Sequence, residues 1–491
     1  MHIDYHALLP EIVLSATILI VLVVDLFLPN KWKHAAMPLA MLGVLATLAA
    51  ELTLLGSTPR ATFGGSFVVD DFAVLFQTFF LAVAIVVLAI SMRYIKEGGF
   101  YQGEYYFLLL TSFLGCMLMP ASRDLIMLFI SLELVSAPGF LMAAFRKRDP
   151  KSNEAGLKFF LIGVLSTAVM LYGMSIIYGV TGGQTGLSQI ATKLAVLPAQ
   201  QTTLALAAIF FVVVGFAFKV SAFPFQFWAP DTYEGSPVPV AAFLAVASSA
   251  AGFAGLLQLM FVAFIHQAHF WTPLFAFLAI ATMSVGNLLA LQQRQAVRLL
   301  AYSGIAQAGY MLLPFALVGT NPTVNRDAFA ACVTYILIYG VMNLGAFAVT
   351  TAVSRRRPTV LFSDFAGLVR SAPLLAIAMT TCLISLAGVP PAGGFWGKLF
   401  IFRAAIERAG ALGVVLAVVM LVNSVVSVFY YFAIPKQMLF EKGSDGSPLG
   451  ASKLITLVAA AAMIAVLAIL VFANVLLDLA NGATLVALPG R

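Results

Sequence analysis

The sequence predicts an all-α polytopic membrane protein of about 14 transmembrane helices. Its seventh and twelfth helices are broken, and two five-helix stretches read as inverted repeats. Three observations carry this. Of 491 residues, 62% are hydrophobic and 10% charged, against about 25% charged in a soluble domain. The apolar residues fall in runs of about 20, the length that crosses a hydrocarbon core. The basic residues sit in the short connections between those runs, and they alternate in density from one side to the other.

Taken in order, spans are expected at 10–28, 35–56, 71–93, 104–120, 122–145, 155–180, 203–226, 238–264, 270–292, 298–319, 327–353, 371–407, 411–433 and 453–478. The twelfth is too long for one straight crossing. It is interrupted by Gly388-Val389-Pro390-Pro391-Ala392-Gly393-Gly394 and reads as two half-helices. With the N-terminus outside, 18 of the 27 Lys and Arg residues fall in cytoplasmic connections and 7 outside. Lys219 and Lys398 stay in the membrane. That asymmetry places both termini outside. The organisation that follows is three N-terminal helices (1–103), a first five-helix repeat (104–264), a second, inverted one (270–433), and a C-terminal loop and helix (434–491).

The repeat is marked by Gly215-Phe216-Ala217-Phe218-Lys219 and Gly394-Phe395-Trp396-Gly397-Lys398, both Gly-Phe-x-x-Lys on broken spans. A unit of five spans inverts its topology, and inverted repeats place their sites near the midplane.

Composition also excludes. The net charge of +7 is explained by topology, so no nucleic-acid partner is expected. Cys116, Cys332 and Cys382 sit singly in apolar runs, which suggests neither a disulfide framework nor an Fe–S cluster. The first run follows an acidic start, Asp4 and Glu11, unlike a cleavable signal peptide. No Gly-rich phosphate loop and no Ser/His/Asp arrangement stands out. His266 and His269 have metal-ligand spacing but lack a third ligand, so an interfacial role is expected.

Ionisable groups inside the membrane are functional candidates by default. Lys219 lies in an apolar run five residues before Pro224, and a broken helix beside an ionisable group is a common ion-site architecture. Glu133, midway along the fifth span, is its natural partner. An opposite charge favours the ionised form of each and burial the neutral form, so a lysine held between them can change protonation state when its partner moves. The alternative is a static ion pair that fixes helix packing. Lys398, beside Pro390 and Pro391, has no equivalent acid. The tenth span offers it Tyr302, Ser303, Gln307 and Tyr310. Ser248, Ser249, Asn343 and Ser424 can hold water between the lysines, or make ordinary helix–helix hydrogen bonds. Glu154 and Lys158 read as an i,i+4 pair. Asp231 and Glu234 mark a structural corner before the eighth span, with Ser236 as its N-cap and Pro237 at the first helical position.

WAPDTYEGSPVP at 228–239, with FLAVAS after it, resembles the antiporter-like membrane subunits of respiratory complex I, nearest to their N-type subunits. Supporting stretches are NLLAL at 287–291, RLLAYS at 298–303, AGY at 308–310 and the Pro-Pro…Gly-Gly-Phe…Lys398 run. The resemblance covers nearly the whole chain. It implies the 14-span fold and proton translocation in a quinone-reducing complex of the bacterial inner membrane, with both termini periplasmic. It implies no cofactor in this chain. NADH, FMN, Fe–S clusters and quinone are expected in partner subunits. The partners implied are the K and M membrane subunits, the small subunits near the quinone site, and lipid. The family's glutamate and two lysines fall on Glu133, Lys219 and Lys398, and Glu104, Glu154 and Lys158 also match family positions. Two positions depart. Ser249 stands where the family commonly has a lysine, and Gln307 where it often has a histidine. The alternatives are a cation/proton antiporter subunit of Mrp type and a scaffold whose lysines do no transport.

Overall fold

The computed structural model describes residues 3–100, 102–355, 359–408, 410–441, 452–483 and 485. Arg356, Arg357, Lys442 and Arg491 of the loop-charge count, and much of the C-terminal loop, lie outside them.

Among the described residues, 13 helices are long and apolar enough to cross a membrane. In chain order they are Leu9–Phe27, Trp32–Leu52, Asp71–Glu97, Gly103–Ala121, Leu125–Ala143, Pro150–Val180, Ala199–Lys219, Val238–Ala263, Ile265–Ala290, Ala296–Leu317, Pro322–Ser354, Ala411–Phe440 and Lys453–Gly482. Between the eleventh and the last two stands the expected broken span, made of Pro373–Ala387 and Gly393–Glu407. It keeps its place as the twelfth, so the last two are spans thirteen and fourteen. A short hairpin, Arg60–Thr62 with Phe67–Val69, lies between the second and third spans.

Burial sorts the spans into a core and a rim. The eighth, tenth and eleventh are 94%, 89% and 94% buried over their most apolar windows, while the first and fourteenth are 33% and 22%. The eighth contains two π turns, Leu244–Ser248 and Leu259–Ala263, the kind of irregularity that often marks functional helices. Short polar residues cap some of the spans, as where Asp124 accepts from the N–H groups of Ile126 and Met127 to cap the fifth.

The seventh span departs from its expected end at 226. Its helix stops on Lys219 itself. The Ser221 N–H returns to the Phe218 carbonyl (3.0 Å) and the Ala222 N–H to that of Ala217 (2.8 Å), with Ser221 left-handed at φ 57°. That is a Schellman closure. The first half of the twelfth span closes the same way. The Gly388 N–H reaches Ser385 and the Val389 N–H reaches Ile384, with Gly388 at φ 82°. Three residues after each closing residue comes a proline, Pro224 or Pro391, each preceded by a cis peptide.

The two Gly-Phe-x-x-Lys motifs sit differently about these closures. Lys219 lies two residues before Ser221, and Lys398 ten residues after Gly388. Lys219 precedes its break and Lys398 follows its own, so the shared motif does not mark equivalent places.

The corner after the seventh span is itself a helix, Trp228–Gly235. Ser236 therefore ends that helix and does not cap the eighth span. Its Oγ donates to the Tyr233 carbonyl at 3.4 Å, and Pro237 takes the cap position.

Candidate functional site

Lys219 is buried, and its Nζ donates to Ser136 Oγ at 2.8 Å. Ser136 passes its own hydrogen to the Leu132 carbonyl at 2.7 Å. Glu133 stands one turn earlier on the same helix, half-buried, with Oε1 unpartnered. The expected Glu133–Lys219 ion pair is thus not a contact. The two feel each other's charge, and a serine hydroxyl occupies the lysine's near side. The packing explains this. The Lys219 stem lies against Gly252, where an added Cβ would come within 3.0 Å of Lys219 Cγ.

On the other side of the seventh-span break, Ser221, Tyr233, Ser249, Gly304 and Tyr339 line a cavity the size of about one water. Ser249 Oγ donates to the Leu244 carbonyl (3.1 Å) across the first π turn, and Ser248 is buried in that turn. Asn343 donates to Tyr339 Oη at 2.8 Å and keeps a buried, unpartnered Oδ1.

Gln307 needs no water to link its neighbours. Its Nε2 donates to the Leu386 carbonyl (2.9 Å) and to Tyr431 Oη (3.0 Å), and its Oε1 accepts from Tyr335 Oη. Ser303 also bonds Tyr431. Lys398, buried like Lys219, donates to the Ala387 carbonyl at 2.9 Å. Its ammonium lies 4.5 Å from the centroid of the Tyr310 ring, close enough for a cation–π contact. Ser385 joins the two half-helices by accepting from the Gly394 N–H at 2.9 Å. Gly388 is required twice over. Its φ is left-handed, and a Cβ there would strike Lys398 Cδ at 2.7 Å. Ser424 and Asn287 reach Tyr310 Oη at 3.5 Å each.

The remaining expected residues gather elsewhere. Asp231 takes Lys158 (2.6 Å) and Arg298 (2.8 Å), and Glu234 takes Lys151 (2.9 Å) and Arg298 (2.8 Å). Burial alone would raise both carboxyls. The lysine and arginine partners outweigh it and hold them below the usual carboxylate range. Arg146 adds donors to the Gly235 and Ser236 carbonyls. Glu154 pairs with Lys158 at 2.6 Å, and Glu104 with Lys147 at 3.6 Å, on exposed ground away from the lysine interior.

Sequence reasoning missed Ser136, Tyr335 and Tyr431, whose only signal was a hydroxyl inside an apolar run. It also left Arg123 in a loop. The structure buries it against Asp70 (2.6 Å) and Gln258. Among the described residues no three metal-ligating side chains converge. The three cysteines lie on separate spans, so the donor set does not fit an iron–sulfur cluster.

A family described as NADH:quinone oxidoreductase/Mrp antiporter, transmembrane, matches residues 122–425. The chain belongs to this family. Among its relatives is the NAD(P)H-quinone oxidoreductase subunit 2 of Synechocystis sp., 42% identical over 441 residues, covering 90% of this chain and 83% of that one. The NADH-quinone oxidoreductase subunit N of Trichlorobacter lovleyi is 40% identical over 444 residues, covering 90% and 89%. A chain of respiratory complex I from Thermus thermophilus with bound Aureothin superposes with a TM-score of 0.79 at 30% identity, covering 96% of this chain and 98% of that one. The Mrp complex from Dietzia sp. shares the fold at a TM-score of 0.84 and 19% identity, covering 98% and 96%.

Proposed function

We propose that this chain is an N-type, proton-translocating membrane subunit of an NADH–quinone oxidoreductase, with no redox centre of its own. The observation that carries the reading is the pair of buried lysines beside the two helix breaks, one held by Ser136 and the other by the last carbonyl of the half-helix before it. Lys219 is the last residue of one such helix, and Lys398 bonds the last carbonyl of the other. A helix C-terminus carries partial negative charge and favours a cation. Each ammonium is therefore held where a small displacement changes its stabilisation, which suits a group that takes and releases a proton.

The path runs from Glu133 and Lys219, through the water-sized cavity at Ser249, to Gln307 and Lys398. Ser249 and Gln307 carry no charge near neutral pH and pass protons only through hydroxyls and water. The corner of Asp231, Glu234, Lys158 and Arg298 fixes the helix leaving the seventh-span break. Residues 104–264 and 270–433 act as the two repeats, in the register set by Ser221 and Gly388. NADH, FMN, iron–sulfur clusters and quinone belong to partner subunits, among which the K and M membrane subunits are neighbours. Both termini face the periplasm of a bacterial inner membrane. The test is the assembled complex in sealed vesicles, with quinone reduction and proton uptake measured together. Lys219→Ala or Lys398→Ala lowers the proton-to-electron ratio. An unchanged ratio in both variants overturns the reading.

A further inference from the structure

Glu11, near the start of the first span, is 6% exposed, and Glu51, in the last turn of the second, is fully buried. Gln77 of the third span, also fully buried, points its amide at Glu11. Its Nε2 donates to Glu11 Oε1 at 2.6 Å and to the Met117 carbonyl at 3.0 Å, which uses both amide hydrogens. Four buried oxygens are then left without a donor: Glu11 Oε2, both carboxyl oxygens of Glu51, and Gln77 Oε1. The first two spans pack antiparallel with Gly43 against the Thr17 side chain, a register that brings Glu51 about level with Glu11, within electrostatic reach of it.

Among the described residues no ion pair reaches Glu11 or Glu51, and the charged groups at this end of the spans have partners of their own, with only the Nε–H of Arg60 and of Arg123 left over. His6 bonds Thr53, and Arg60 pairs with Asp4. Arg123 is taken by Asp70, Gln258 and the carbonyls of Pro120 and Ser122. Cys116 of the fourth span turns to the Ala247 carbonyl. Asp25 and Lys33 pair at the other end of the first two spans. Two buried carboxylates without a cation would repel each other and lose their hydration, and such a group neutralises instead. The missing element is a donor to the orphaned oxygens, and a carboxylic acid O–H supplies it.

We infer that Glu11, held by Gln77, and Glu51 form a proton-binding carboxyl pair in the three N-terminal spans, separate from the lysine path. The pair lies within about a turn of the connections on the face that carries the N-terminus. It exchanges protons with the medium on that face. The inference does not rest on the function proposed above, since its proton is read without turnover.

The experiment is infrared difference spectroscopy of the purified, intact complex during pH jumps in sodium-free buffer. Wild type shows a protonated-carboxyl C=O band that responds to pH. The band disappears in Glu11→Gln/Glu51→Gln and moves in Glu51→Asp, which keeps the carboxyl and decides the matter should the double variant fail to assemble. A band unchanged in both variants overturns the proposal. So does a band that sodium chloride abolishes and choline chloride does not, which would assign the oxygens to a bound cation.

Discussion

At the seventh-span break the lysine ends the helix that leads in. At the twelfth it stands on the helix that leads out and reaches back across the gap. Lys219 meets a hydroxyl, with a carboxylate one turn further on. Lys398 meets a main-chain carbonyl and the face of a tyrosine. Both breaks close with the same backbone turn, so the fold supplies the same negative helix end twice and the side chains differentiate it. One lysine is tuned by a charge that can itself titrate. The other is tuned by a main-chain carbonyl and a phenol that is neutral near pH 7. On the path proposed above, a proton arriving at Glu133 changes what Lys219 feels, whereas Lys398 responds to the geometry of the carbonyl and the ring beside it.

The largest effects break the comparison at its two ends. On the path proposed above, Lys219→Ala and Lys398→Ala each remove a proton carrier, and the rate of proton uptake through this chain falls about a hundredfold, as for loss of a positioned acid–base group. The complex still assembles, since an alanine fits where each stem passes. Sealed-vesicle pumping normalised to quinone reduction measures it. Uptake near the wild-type level in either variant removes that lysine from the path.

Glu133 sharpens the contrast, because it has no counterpart beside Lys398. Glu133→Gln keeps the shape and loses the charge, and pumping falls by about tenfold, on the order of 1.4 kcal/mol in barrier. Glu133→Asp keeps the charge about one methylene further from Lys219 and loses less. Equal activities in the two variants would show that the side chain's size, not its charge, matters to Lys219.

These partners were unevenly legible in the sequence. Hydropathy and loop charge reported the spans because each is a local property of about 20 residues. The twelfth-span break was legible in its run of glycines and prolines. The end of the seventh was not, because Ser221 adopts a left-handed conformation usually given to glycine. Lys398 was visible as a cation without an acid, yet its partner is a backbone carbonyl, which no residue letter announces. Ser136 was hidden for a related reason. Fifth and seventh spans were correctly associated, but which face of the fifth the lysine meets depends on a rotation that the nearly uniform apolar pattern leaves undetermined. Glu11, Glu51 and Gln77 come from three spans, and nothing local to any of them reports the other two.

The region between the two lysines gives a smaller effect. Ser249 lines the cavity beside the first break, whereas Gln307 beside the second is already saturated by direct bonds. Ser249→Leu fills the cavity with apolar bulk and slows transfer about threefold, less than 1 kcal/mol in barrier. Ser249→Lys, the residue commonly implied at this place by the family resemblance, is tolerated. Pumping in the leucine variant equal to wild type would remove the cavity from the path and leave a local Glu133–Lys219 site.

The smallest effect lies at the corner that follows the first break. Asp231 and Glu234 are held below the ordinary carboxylate range by Lys158, Lys151 and Arg298. A carboxyl lowered on folding stabilises the folded state above its unfolded value, and that stabilisation is lost as pH falls through the folded one. The corner's contribution is therefore complete above about pH 4, the unfolded carboxylate range, and fades only below it. Arg298→Gln removes one partner from each acid. The pairs are partly exposed, so screening limits the loss to about 1 kcal/mol each. Thermal unfolding of the purified complex should show the variant less stable than wild type at neutral pH, with the difference shrinking as the medium is acidified below that range. A difference that grew on acidification would mean that the carboxyls are protonated partners of Arg298, and the corner would then not be an ionic clamp.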